Sequence, residues 1–199
     1  TTTDKKAEKA VASTEPLKAA WVYPSPRADE GWSKQHEEAR MLIEQKYGDK
    51  IRTQVVDNVT NTVDAERVIR DLAAQGNKII FATSFTYMNP ALKVAKEFPD
   101  VKFENCTGYK TAANYSNYNA RFYQARYLAG KLAASMSKTA HLGYVAAMPI
   151  PEVLQGINAY TLGAQSVNPD VKVSVVWTNT WYDPGKEVDA TNTLIGQGC

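Results

Sequence analysis

The sequence predicts an α/β chain of two lobes, each built on a parallel sheet flanked by helices, and three observations carry that expectation. From residue 17 onward, short apolar runs rich in β-branched and aromatic residues alternate with amphipathic helical segments, which is how βαβ units read. The alternation falls into two series separated by one long helical segment. Several strands run into long loops with aromatic residues, at the sheet edge where open α/β folds bind ligands.

In the first series, residues 17–23 read as a strand. Residues 33–47 place Ala39, Leu42, Ile43 and Lys46 at helical spacing, with Gly48 as a stop. Residues 51–56 make the second strand. Residues 63–74 make a helix with Val68, Ile69 and Leu72 on one face, ended by Gln75-Gly76. The third strand is 78–83. Asn89-Pro90 is then an N-cap followed by proline at the first helical position, opening a helix that stops at Phe98, before Pro99. Residues 101–105 make the fourth strand.

A longer helix is expected over 118–136, with Phe122, Leu128, Leu132 and Met136 among its apolar positions. It leads from one lobe to the next, so residues 17–137 form the first lobe and 138–199 part of a second, with Ser137-Lys138-Thr139 as a flexible connector. The second series is strand 141–147, helix 151–165, strand 171–177, and a helix capped by Asp183-Pro184 that ends at Gly196-Gln197-Gly198. An open α/β lobe would place another buried strand next, where Cys199 stands, so the second lobe reads as truncated and the chain as an incomplete functional unit. Residues 1–16, rich in Thr, Lys, Ala and Glu without apolar periodicity, suit a disordered leader.

Composition narrows the function. The 23 Lys and Arg nearly balance 21 Asp and Glu and are scattered, so nucleic acid is not an expected partner. No apolar run approaches the roughly 20 residues needed to span a bilayer. Two cysteines, Cys106 and Cys199, and two histidines, His36 and His141, lack metal-ligand spacing, so no metal and no cofactor is expected, and the histidines read as exposed or incidental. There is no nucleophile elbow, no phosphate-binding glycine loop and no dinucleotide fingerprint, so no catalytic residue is assigned.

What remains is binding. The first strand leads into a loop ending Asp29-Glu30-Gly31-Trp32-Ser33, the third into Ser84-Phe85-Thr86-Tyr87, and the strand 141–147 into Met148-Pro149-Ile150-Pro151-Glu152. The strand 171–177 leads into Asn179-Thr180-Trp181-Tyr182-Asp183. Trp32, Phe85, Tyr87, Trp181 and Tyr182 would give a cleft flat apolar walls, and Asp29, Ser33, Ser84, Asn179 and Asp183 would orient a ligand. Each has a structural alternative: an aromatic before a helix can be a hydrophobic staple, Trp32 and Trp181 can be core residues, and Asp183 can be only an N-cap.

Asp29-Glu30-Gly31-Trp32-Ser33, Phe81-Ala82-Thr83-Ser84-Phe85, Tyr127-Leu128-Ala129-Gly130, Val167-Asn168-Pro169 and Trp181-Tyr182-Asp183-Pro184 resemble the basic membrane protein (BMP) family of ABC-transporter substrate-binding proteins. Trp32 matches the aromatic of that family's first loop and Asp29 its acid, while Glu30 and Ser33 depart from its pattern. Gln124 stands near the place of an acid that often precedes the Tyr-Leu-Ala-Gly run. The resemblance implies a type I periplasmic-binding fold and a purine base or nucleoside held between Trp32 and Trp181. It also implies delivery of that ligand to an ABC transporter permease, a periplasmic or envelope-anchored location, and anchoring through a lipidated N-terminus outside this sequence. The alternative from another class is a cytoplasmic α/β enzyme acting on a nucleoside or nucleotide. A repressor built on such a core would need a helix-turn-helix, which residues 1–16 cannot form.

Overall fold

A computed structural model describes residues 15–199, so most of the expected leader lies outside the described residues. The first series folds into a five-stranded sheet in the order β2-β1-β3-β4-β5, from β1 (Leu17–Val22), β2 (Ile51–Val56), β3 (Ile79–Ala82), β4 (Lys102–Cys106) and β5 (Tyr115–Tyr118). All four pairings are parallel. β1 is central and covered on both faces, which is why Ala19, Ala20, Trp21 and Val22 are all buried. Ala20 and Val22 face a core built with α2 (Thr62–Ala74) and α3 (Met88–Glu97), and Ala19, Trp21 and Tyr23 pack with Ile43 of α1 (Trp32–Tyr47) on the other side.

Three sequence-based expectations need correction here. Tyr118, expected to open the long helix, instead ends a strand, residues 115–118, that the apolar pattern did not predict. The Asn114 amide donates to the carbonyls of Ala95, Phe98 and Val101, each at 2.9 Å, and the Tyr115 hydroxyl donates to the Met88 carbonyl. These bonds draw the segment alongside β4, leaving α4 to run from Phe122 to Met136. Asn89 is not the N-cap of α3. That helix continues from a 3-10 turn, Phe85–Tyr87, whose cap is Ser84, the acceptor for the Thr86 N–H. His36 is not incidental: it is half-buried, and its Nδ1–H donates to the Trp32 carbonyl at 2.8 Å.

The second series forms a separate parallel pair, β6 (His141–Ala146) and β7 (Lys172–Trp177), linked by α5 (Pro151–Gln165) and followed by α6 (Pro184–Gly196). α6 packs on the pair, and α4 packs along α5. The α4–α5 contact is made by small residues, because Leu128, Leu132 and Met136, expected as its apolar positions, are each more than 60% exposed. Backbones meet instead. A Cβ on Gly130 would lie 1.9 Å from the Tyr160 carbonyl oxygen, and one on Gly163 would lie 2.0 Å from that of Tyr127. This spacing places a glycine Cα–H against a carbonyl in each direction.

Since a methyl group cannot occupy that space, Gly163→Ala should lower stability by about 1–3 kcal/mol. Gly196→Ala, at a helical position with nothing within 4 Å, should be neutral or stabilising by up to about 1 kcal/mol. Urea unfolding of the two variants side by side checks this, and equal midpoints would contradict the close-packed interface.

Candidate ligand cleft

The strand order reverses between β1 and β3, the point where open α/β sheets take ligands. The segment after β1 is organised there by Asp29, a buried carboxylate. It accepts from the backbone N–H groups of Gly31, Ser33 and Lys34 at 2.9–3.2 Å and from the Ser25 hydroxyl at 2.5 Å. With the Ser25 proton given to Asp29, the Ser33 hydroxyl donates to Ser25 Oγ at 2.6 Å. Burial alone would raise the Asp29 pKa, but these hydrogen bonds outweigh it and hold it below the ordinary value of 3.8. The knot starts α1 at Trp32, whose indole N–H donates across the reversal to the Thr83 carbonyl at 2.6 Å.

Trp32 then belongs to a run of rings reaching from the sheet to the second half of the chain. Trp21 stacks on Phe81 with centroids 4.6 Å apart, Phe81 meets Tyr118 edge-on, Tyr118 meets His36, and His36 meets Trp32. Trp32 faces Phe122, the first residue of α4, at 5.7 Å. Burial lowers the His36 pKa, which favours neutral imidazole in this aromatic setting, although the bond to the Trp32 carbonyl works the other way.

A cavity of about 300 Å³ lies between the two sheets. From the first series it is lined by Pro24, Ser25, Trp32, Ser84 and Phe85, and from α4 by Phe122 and Arg126. From the second series it is lined by Tyr144, Ala146, Ala147, Glu152, Val153, Gly156 and Trp181, among others. Trp181 is placed by the turn after β7. The Thr178 and Asn179 N–H groups bond the carbonyls of Ala146 and Ala147, and Asn179 takes a left-handed φ of 55°, which asparagine tolerates.

The structure therefore brings together Trp32, Ser84, Phe85 and Trp181 of the sequence-based candidates. Asp29 and Ser33 are buried behind the cavity wall as the knot that positions it. Tyr87 is a core residue, its hydroxyl bonded to the Val59 carbonyl. Asn179 is a turn residue exposed to solvent, and Asp183 caps α6 by accepting from the Lys186 N–H at 3.1 Å. Sequence reasoning missed Phe122, Arg126 and Tyr144, and assigned no role to Glu152. Arg126 carried a faint signal, standing immediately before the Tyr127-Leu128-Ala129-Gly130 motif. Among the described residues, no three His, Cys, Asp or Glu side chains gather as a metal site, and no helix is long and apolar enough to cross a membrane.

Residues 17–199 match the family described as ABC transporter substrate-binding protein PnrA-like (Bmp). The chain belongs to this family. Its members bind solutes for transport rather than transform them, and they act outside the cytoplasm. A purine-binding protein of Brucella abortus is 55% identical over 189 residues, which cover 95% of this chain and 54% of that protein. A protein of Haloferax volcanii named as a candidate ABC transporter glucose-binding protein is 43% identical over 185 residues, 93% of this chain and 47% of its own. The crystal structure of a solute-binding protein from Aeropyrum pernix superposes with a TM-score of 0.80 at 21% identity, covering 92% of this chain and 53% of that one, which establishes the type I periplasmic-binding fold. The chain spans about half the length of the curated relatives it matches.

The Asp29 knot makes its own prediction. Because its folded-state pKa is depressed, the stability it contributes is present above the ordinary carboxylate pKa and is lost as pH falls through the folded value. Asp29→Asn should cost about 1–3 kcal/mol at neutral pH. The gap between variant and wild type should narrow below about pH 4. Chemical denaturation across that range measures the gap, and one that stays constant with pH would remove the carboxylate's charge from the account.

Proposed function

We propose that this chain forms the ligand-capturing part of an extracytoplasmic solute-binding protein that holds a purine base or nucleoside between its lobes and presents it to an ABC transporter permease, without catalysis. The observation that carries the reading is that Trp32 and Trp181, from loops of two different sheets, line one cavity. In this reading residues 17–137 are one lobe, 138–199 belong to the other, and the ligand's flat ring seals the space between them. Lobe closure and binding are then one equilibrium. The identity to a purine-binding relative supports the ligand class. The relative named for glucose makes a sugar the second ligand class to test, since an aromatic face also takes the apolar face of a pyranose.

The test is titration of the full-length protein with adenine, adenosine, guanosine and glucose, followed by tryptophan fluorescence and calorimetry. A purine should bind, and Trp32→Ala or Trp181→Ala should each weaken it by a factor of about 5–150, the equivalent of one stacked ring. Binding of glucose alone, or purine affinity unchanged in both variants, would overturn the reading.

A further inference from the structure

Stacking on indole faces does not distinguish one purine from another, so a polar group in the cleft must do so. Glu152 is placed for it. It stands in the first turn of α5, directly after Pro151, and lines the cavity with Trp181, Tyr144 and Val153 from its own side. The Thr107 hydroxyl, from the residue after β4, is near enough to its carboxyl to favour the ionised form. Thr107 is buried after β4 with φ at 68°, a left-handed conformation that a β-branched residue adopts only where its surroundings impose it. The acid thus comes from the second half of the chain and meets a residue of the first at the cavity that the two tryptophans wall.

Resting on the purine reading above, we propose that Glu152 reads the edge of the bound base and that loss of its proton turns the site from adenine towards guanine. A protonated carboxyl offers one O–H donor beside one carbonyl acceptor, which complements the ring nitrogen next to the amino group of adenine and equally the ring N–H next to the oxo group of guanine. An ionised carboxylate offers two acceptors, which complement the adjacent ring and amino N–H donors of guanine and oppose the bare ring nitrogen of adenine.

Burial raises the Glu152 pKa from its ordinary 4.5, and the Thr107 hydroxyl offsets this only in part, so the neutral form persists into milder acid than for a free glutamate. Facing it are Cys106 on β4 with Tyr118 on β5 behind it, Arg126 on α4 and Tyr144 on β6, while His36 on α1 packs against Trp32. Burial pushes the Cys106 thiol up to about 12 and the Tyr118 phenol well above its usual range, so both stay neutral in mild acid. His36 also titrates, and the Glu152 variant separates its effect.

The experiment measures calorimetric affinities of the full-length protein for adenine and guanine, as bases and as nucleosides, from about pH 5 to pH 8, where neither purine changes its own charge. The adenine-to-guanine affinity ratio should fall by about tenfold or more as pH rises. Glu152→Gln, whose amide keeps one donor beside one acceptor, should hold the low-pH ratio at every pH. Thr107→Val, which removes the hydroxyl favouring the ionised form, should move the midpoint of the wild-type change to higher pH. Melting curves confirm that each variant is folded. If Glu152→Gln does not fold, the Thr107→Val midpoint decides, and one that does not move would overturn the proposal. A ratio that is flat in wild type, or still pH-dependent in Glu152→Gln, would overturn it while leaving purine binding intact. Absence of binding to any purine would overturn both.

Discussion

A carboxylate taken out of water must have its lone pairs met by donors, or it costs more than a folded chain can bear. Asp29 satisfies that condition with three backbone N–H groups and a hydroxyl, from the turn after β1 and the first turn of α1. The turn consequently has one shape. Because those N–H groups are the free donors at the start of α1, the same bonds that neutralise the buried charge also cap the helix. Trp32 is the first residue of that helix, so the ring facing the cavity inherits its position from a side chain that never reaches the cavity.

The opposite wall is held by a different device. Along α4 and α5 there is little apolar side-chain burial, and the helices approach until Gly130 and Gly163 lie against carbonyl oxygens. Such contact leaves few ways to slide one helix over the other, since any shift brings a side chain into the gap. Phe122 and Arg126 extend from the start of α4, and Glu152, Val153 and Gly156 from the start of α5, so the paired helices present their N-terminal turns to the cleft as one unit. The first wall is thus fixed by polar satisfaction and the second by shape.

The alternation of strand and helix was legible because period and punctuation agree in most elements: the segments 51–56, 151–165 and 184–196 fall where apolar spacing, Pro151 and Asp183-Pro184 put them. Residues 115–118 failed because Tyr115-Ser116-Asn117-Tyr118 has too little apolar character to read as a strand, and the bonds from Asn114 that place it are tertiary. Leu128, Leu132 and Met136 misled because apolar periodicity marks a face without saying that glycine and alanine pack more closely on another. At the cleft, the two tryptophans were visible from their places after strands. Asp29 and Tyr87 were not separable from ligand contacts, since an acid or a tyrosine in a loop looks the same whether it turns inward or outward. Glu152 was overlooked because an acid in the first turn of a helix already has an adequate local explanation in the helix dipole.

The hydrogen bonds of the cleft divide labour between its walls. Trp32 has only one polar atom, and it is engaged by the Thr83 carbonyl, so this ring contributes a face and no directional bond. Ser25 gives its proton to Asp29, and Ser84 Oγ accepts from the Thr86 N–H and bonds the Thr86 hydroxyl. The first wall therefore uses most of its polar capacity to hold itself in place. On the other side, Arg126 has no ion-pair partner among the described residues and Glu152 retains acceptor capacity beyond its contact with Thr107. In the proposed reading, the orientation of a ligand is accordingly decided from α4 and α5, while the first sheet supplies the rigid surface it lies on. That asymmetry suits a binding protein that closes, because a flat, pre-formed wall can receive the ligand before the directional bonds form, and those bonds are made only when the second wall arrives.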